Sequence, residues 1–108
     1  MKYEVRIDNV ASGDLYAIYR YVAINDSPLK AEHLLDNIQK AMTSLETMPA
    51  RGSYPPEIQR WGIFDFREVF FKPYRIIYEI KGKTVFIHAV LDGRRNCEDL
   101  LQQRLLGV

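Results

Sequence analysis

The sequence predicts an α+β domain of two layers: a helical hairpin packed on a mainly antiparallel four-stranded sheet, followed by a short C-terminal helix. Three observations carry this. Apolar residues recur at helical spacing in two stretches of the first half, with Ser27-Pro28 between them. Residues 63–91 hold three strand-like runs separated by the turn dipeptides Lys72-Pro73 and Lys81-Gly82. The 108 residues are the length of one domain with room for a core, so residues 1–108 are expected to form a single unit.

Each element follows from its residues. Tyr3, Val5 and Ile7 alternate with Glu4 and Arg6, the pattern of a half-buried strand. That alternation breaks any apolar run, which argues against a signal peptide. Ala11, Leu15, Ile18 and Val22 then switch to helical spacing. Ser27 is suited to cap a second helix, and Pro28 fits its first position, where the missing N–H has no intrahelical partner to lose. Ala31, Leu34, Leu35, Ile38, Ala41, Met42, Leu45 and Met48 give that helix the clearest apolar stripe of the chain, ended by Pro49 and Gly52. A long loop is expected over residues 50–62. Strands follow at 63–71, 74–80 and 84–91, Asp92-Gly93 breaks the run, and Asn96 can cap a last helix with Leu101 and Leu105 on its apolar side.

A two-residue loop at Lys81-Gly82 would set a register in which Tyr78 opposes Val85, Ile76 opposes Ile87 and Arg75 opposes His88. That places an arginine and a histidine side by side on the face away from the helices, a candidate site. The register of the hairpin at Lys72-Pro73, and with it whether Arg67 shares that face, stays open at this point.

Charge limits the function classes. Fifteen Lys and Arg against fourteen Asp and Glu give +1 and a pI near 7.8. A chain that works on nucleic-acid backbone usually shows a clear basic excess. Residues 51–108 do carry ten bases against seven acids, so a local basic face is expected in the second half. The lone cysteine, Cys97, excludes an internal disulfide and argues against a thiolate metal site. No metal or cofactor is expected, no stretch has the length to cross a membrane, and the cytosol is the natural compartment. His33 reads as a solvent-facing helix residue. Trp61 and Tyr54 read as lids on the core or interface anchors. Seven of the thirteen aromatics fall in residues 60–78, and most of these are expected in the core.

Asp14-Leu15…Ile18…Tyr21, Pro28…Ala31, Leu45…Pro49…Gly52, Phe66-Arg67-Glu68, Tyr74-Arg75-Ile76-Ile77-Tyr78-Glu79 and Asp92-Gly93-Arg94-Arg95 occur in an order that resembles the RelE/ParE superfamily of bacterial type II toxin–antitoxin toxins. The resemblance spans nearly the whole chain. It implies that the first strand joins the sheet beside the last. It also implies a cognate antitoxin whose helix and extended segment wrap the toxin, giving a hetero-oligomer. The superfamily divides by target. RelE-like members cut mRNA on the ribosome, and the resemblance places their arginines at Arg75 and Arg95, their two lysines at Phe66 and Glu68, and their tyrosine at Leu101. Three of these five positions are changed here, one to the opposite charge. ParE-like members bind and poison DNA gyrase, and the chain looks more like these; the alternatives are a RelE-like ribosome-dependent mRNA endonuclease, or a degenerate toxin that keeps the fold and the antitoxin but has lost activity.

The expected roles follow. If the chain were an RNase, Arg75, Arg95, His88 and Glu68 would carry the chemistry, since attack of a 2′-OH on phosphate needs a base, an acid and cations. If it is a binder, Arg67, Lys72, Arg75, His88, Arg94 and Arg95 are its target-facing candidates. Phe66, Phe70, Leu101 and Leu105 are candidates for the antitoxin surface, because the second half supplies more apolar residues than one core face absorbs. The substitution Glu68→Lys should then raise the rate of an RNase and leave a gyrase poison nearly unchanged. Against these roles stand plainer ones: Arg75 pairing with Glu79 or Glu68 on an exposed face, His88 as a surface residue, and Cys97 as inert.

Overall fold

The computed structural model describes residues 2–107. Strand β1 (Glu4–Ile7) leads into helix α1 (Asn9–Asn25), helix α2 (Pro28–Thr43), two single 3₁₀ turns (Ser44–Glu46 and Pro49–Arg51) and the one-turn helix α3 (Pro56–Gln59). Strands β2 (Phe66–Phe71), β3 (Tyr74–Lys81) and β4 (Thr84–Asp92) follow. Helix α4 (Glu98–Leu101) closes the chain and continues as a π-helical turn at Gln102–Leu106.

The strands form one sheet in the order β1-β4-β3-β2. β2, β3 and β4 are an antiparallel meander, and β1 pairs parallel to β4, Val5 beside Val85. The expected α+β architecture and the place of the first strand therefore hold. Two caps set the helical hairpin. The Asp8 carboxylate accepts from the Ala11 N–H at 2.7 Å, and the Ser27 hydroxyl accepts from the Lys30 N–H at 3.1 Å. Each such cap is worth about 1 kcal/mol.

The hairpin α1–α2 covers one face of the sheet. Ala11, Ile38, Met42 and Leu45 pack there on Val69, Ile76, Tyr78, Val85, Ile87 and Val90. The opposite face, expected to be open, is not. Ile77, Ala89 and Leu91 are buried under Cys97 and Leu101, with Phe66, Leu100 and Leu105 packed against them. The short C-terminal helix is a second cover, so this sheet is apolar on both sides over its central strands.

Several local expectations are corrected. α2 ends at Thr43; Leu45 is buried from the following 3₁₀ turn, while Met48 is 60% exposed and off the apolar stripe. β2 starts at Phe66 rather than residue 63. The stretch 50–62 is not a bare loop: Pro55-Pro56 start α3, which buries Ile58 completely. Trp61, Phe64 and Phe70 are at least half exposed, so fewer of the clustered aromatics enter the core than composition implies.

The β3–β4 register is shifted too. Gly82 and Lys83 form the loop, with Lys81 opposite Thr84, Ile80 opposite Val85 and Tyr78 opposite Ile87. A bulge at Ile77/Tyr78 slips the pairing by one more, so Arg75 opposes Leu91. Gly82, at φ +60°, takes the first loop position, where tight hairpin turns require a positive φ. The Arg75–His88 pair therefore does not form.

Candidate functional site

The β2–β3 register settles what surrounds Arg75. Phe70 opposes Arg75, Glu68 opposes Ile77 and Phe66 opposes Glu79, so Phe66, Glu68 and Phe70 share a face with Arg75. Arg67 opposes Tyr78 and lies on the other face. The Arg75 side chain is only 10% exposed, and each of its three guanidinium nitrogens donates a hydrogen bond. Its Nε donates to Glu68 Oε1 at 2.7 Å, and Nη1 and Nη2 donate to the two oxygens of Glu57 at 2.6 and 2.8 Å. Glu68 is 3% exposed.

The fork geometry of guanidinium on carboxylate explains why this position holds an arginine. The Arg75 hydrogen bonds hold the Glu57 carboxyl below the usual carboxylate range against the opposing effect of burial, and Glu57 raises the Arg75 value in turn. With two carboxylates on one guanidinium, the cluster carries a net negative charge. It attaches α3 to the sheet. A phosphate arriving here would meet an occupied cation with carboxylates on either side of it.

A second network holds the segment before α3. Arg67 donates to the carbonyls of Ala50 and Gly52 and to the Tyr54 hydroxyl, and its guanidinium lies 4.6 Å from the Tyr54 ring centroid. Tyr54 meets Phe64 edge-on. The Tyr78 hydroxyl, in a fully buried side chain, donates to the Pro49 carbonyl and accepts from the Gly52 N–H. A Cβ at Gly52 would stand 2.5 Å from that hydroxyl oxygen and 2.7 Å from the Glu68 carbonyl, so the close approach demands glycine.

His88 is also occupied. Its Nδ1 lies 3.1 Å from Asp8, its Nε2 lies 2.9 Å from Glu79, and Phe66 meets its ring edge-on. Behind it, Arg104 forks onto Asp14 at 3.2 and 2.9 Å and donates to the His88 carbonyl, while Asp14 accepts from the Val90 N–H. Asp14 therefore joins α1, β4 and the C-terminal turn.

The remaining basic candidates are on the surface. Lys72 is exposed. Arg94 donates from Nε and Nη2 to Asp92 at 3.0 and 2.8 Å, which holds the Asp92 carboxyl below its usual range. Arg95 is exposed, and its guanidinium has no hydrogen-bond or ion-pair partner among the described residues. Arg94 and Arg95 line an open groove with Ala17, Ile18, Tyr21, Tyr74 and Asp92. Tyr74 is 8% exposed, and burial with the nearby Asp92 carboxylate pushes its hydroxyl up, against Arg94.

Of the apolar candidates, Phe70 is half exposed, Phe66 and Leu105 are half-buried against the second core cluster, and Leu101 is fully buried within it. Cys97 is buried and His33 exposed. The structure thus separates the candidates. Arg67, Glu68, Arg75 and His88 are each held by partners, whereas Lys72, Arg94, Arg95 and Phe70 face outward. Glu57 and Asp8 are not singled out by the sequence reading, and Asp14 enters it only as part of the Asp14-Leu15 motif, without a role. Two had signals: Pro55-Pro56-Glu57 is a proline start with an acid in the first turn, and Asp8 precedes a helical run at the capping position.

A sheet of this order with a helical hairpin on one face and a C-terminal helix on the other defines the class of RelE/ParE-type toxin folds. The structure superposes on a chromosomal ParDE toxin–antitoxin system from P. aeruginosa with a TM-score of 0.69 at 21% identity, covering 82% of this chain and 94% of that one. It superposes on an arginine-substituted E. coli toxin RelE in the free state with a TM-score of 0.66 at 13% identity, covering 100% and 99%. Residues 5–97 match the family model of the ParE toxin of type II toxin–antitoxin systems, and the chain belongs to that family. Toxin ParE3 of Caulobacter vibrioides is 32% identical over 85 residues, which is 79% of this chain and 81% of that protein. Family membership implies a cognate antitoxin.

Proposed function

We propose that this toxin stops growth by binding DNA gyrase and poisoning it without cutting nucleic acid itself, and that it is held in the cytoplasm as a hetero-oligomer with its antitoxin. The observation that carries this is the state of Arg75. Phosphodiester cleavage needs cations free to stabilise charge developing on the phosphate. Arg75 is instead clasped by Glu57 and Glu68 in a nearly buried cluster of net negative charge. Two of the residues that an RNase reading requires, Glu68 and His88, are likewise committed to internal partners.

A binder has no such requirement. Arg94, Arg95 and Lys72 are exposed and suited to steer and anchor a protein target. Phe70 and the rim of Leu105 are suited to the antitoxin. Leu101 contributes indirectly, by packing the C-terminal turn that presents Leu105.

The test is expression in cells lacking the antitoxin, with DNA damage and mRNA cleavage read separately. The proposal expects filamentous growth and a DNA-damage response with intact ribosome-bound mRNA. Codon-dependent mRNA cuts would overturn it. The Glu68→Lys test that the sequence suggests does not survive the structure: it would bury a second cation where the Glu68 carboxylate now pairs with Arg75 at 2.7 Å, and so report on folding.

A further inference from the structure

We infer that the groove between α1 and the C-terminal end of β4 is a docking site for a segment of a protein partner that presents one carboxylate beside an apolar or aromatic side chain. Its floor and walls are Ala17, Ile18, Tyr21 and Tyr74, and its charged rim is Asp92, Arg94 and Arg95. It runs on past Leu91 and Leu100 toward Arg104, sharing Ala17, Ile18, Asp92 and Arg95 with that extension.

Two polar groups in it are without partners among the described residues. One is the guanidinium of Arg95. The other is the hydroxyl of Tyr74, a residue that lines the groove and is 8% exposed overall. No buried polar side-chain atom among the described residues lacks a hydrogen bond, so the Tyr74 hydroxyl, which makes none, is reached by solvent and is open to a ligand. A phenol O–H and a guanidinium on one groove form a donor set for a carboxylate, while Tyr21 and Ile18 offer apolar surface next to it. Tyrosine and arginine are also the side chains that most often anchor protein interfaces.

The charge pattern selects the occupant. Arg94 is already neutralised by Asp92 through two hydrogen bonds. That leaves one open cation with a fixed carboxylate beside it. A nucleic-acid strand would bring successive phosphates, one of them against Asp92; a peptide carrying a single acidic side chain brings one charge to one guanidinium. This holds whatever the toxin's cellular target, since the readout is binding to the free chain.

The test is a titration of the isotope-labelled full chain followed by amide chemical shifts. The probes are the blocked peptide acetyl-Asp-Leu-Phe-amide, its Asn counterpart and a single-stranded oligothymidine. The Asp peptide should shift the amides of Ala17, Tyr21, Tyr74 and Arg95, and the Asn counterpart should bind about tenfold more weakly, as loss of one charge-assisted contact implies. Arg95→Gln, at an exposed position, should weaken the Asp peptide about tenfold and leave the Asn peptide unchanged. Tyr74→Phe should weaken it several-fold, with the unperturbed amides of the core reporting that the fold is intact. Equal binding of the two peptides, no shift by the Asp peptide at about 5 mM, or tighter binding of oligothymidine at these amides would each overturn the proposal.

Discussion

Replacing Arg75 by methionine keeps most of the side chain's volume and removes its charge. The perturbation deletes three hydrogen bonds of 2.6–2.8 Å and leaves two carboxylates, Glu57 and Glu68, with side chains 16% and 2% exposed, facing a position that no longer holds a cation. Breaking a buried ion pair by removing one partner costs about 3–5 kcal/mol. Two abandoned carboxylates put Arg75→Met near about 4 kcal/mol at pH 7, tempered by the water that reaches Glu57. With a urea slope of about 2 kcal/mol/M for a domain of this size, the midpoint should fall by roughly 2 M. The pH dependence has a definite sign. In the intact protein the Glu57 value is depressed, chiefly by Arg75, so its contribution is present above the unfolded carboxylate value and is lost as pH falls through the folded one. In the variant, burial without a cation favours protonation, which relieves the strain on acidification. The gap between the two proteins should therefore narrow between pH 7 and pH 4. Adding Glu57→Gln and Glu68→Gln to Arg75→Met should recover part of the loss at pH 7. Urea titrations at the two pH values decide the matter. A loss under about 1 kcal/mol at pH 7, or a gap that widens on acidification, would refute the claim that Arg75 is a structural clasp.

Further consequences can be measured in the same way. Tyr78→Phe leaves the Gly52 N–H and the Pro49 carbonyl without their shared partner and should cost about 1–3 kcal/mol in urea unfolding. Gly52→Ala forces a Cβ within 2.7 Å of the Glu68 carbonyl and should cost about as much or more, with the largest amide shifts at Ser53, Glu68 and Tyr78. Asp14→Asn removes the charge that Arg104 forks onto, so hydrogen exchange of the Leu101 and Gly107 amides should accelerate while that of Ile76 and Ile87 holds.

Much of the fold was legible because local signals agreed with one another. Ser27-Pro28 marks a helix start that the structure places there, and the alternation at Tyr3, Val5 and Ile7 marks a strand. The last helix starts one residue later than expected: Cys97, not Asn96, is its N-cap and makes no side-chain cap bond, while the Asn96 side chain accepts from the Glu98 N–H just ahead of it. The β3–β4 register was not legible. Lys81-Gly82 and Gly82-Lys83 read equally well as a two-residue loop, and the difference of one residue in the loop slides every facing pair by two. The bulge at Ile77/Tyr78 leaves no mark in composition. From that slip followed the Arg75–His88 site, whose members instead hold Glu57 and Glu68 in one case and Asp8 and Glu79 in the other. The partners of Arg75 lie 7 and 18 residues away, one of them in a stretch read as loop, and spacing along the chain does not encode such contacts. Burial of Leu101 is not legible either: nothing in the spacing shows that the C-terminal helix covers the sheet face formed by Ile77, Ala89 and Leu91. The outward positions of Arg94 and Arg95, by contrast, follow from the chain break at Asp92-Gly93, which the sequence does show.

The most direct test of the central claim compares two purified systems side by side. The toxin is added to DNA gyrase with relaxed plasmid, and separately to ribosomes stalled on a defined mRNA, with and without an excess of antitoxin. The account predicts loss of supercoiling or accumulation of cleaved plasmid held by gyrase, reversed by the antitoxin, and an mRNA that stays whole by primer extension. Antitoxin-sensitive cuts in the ribosome-bound mRNA, with gyrase unaffected, would contradict it.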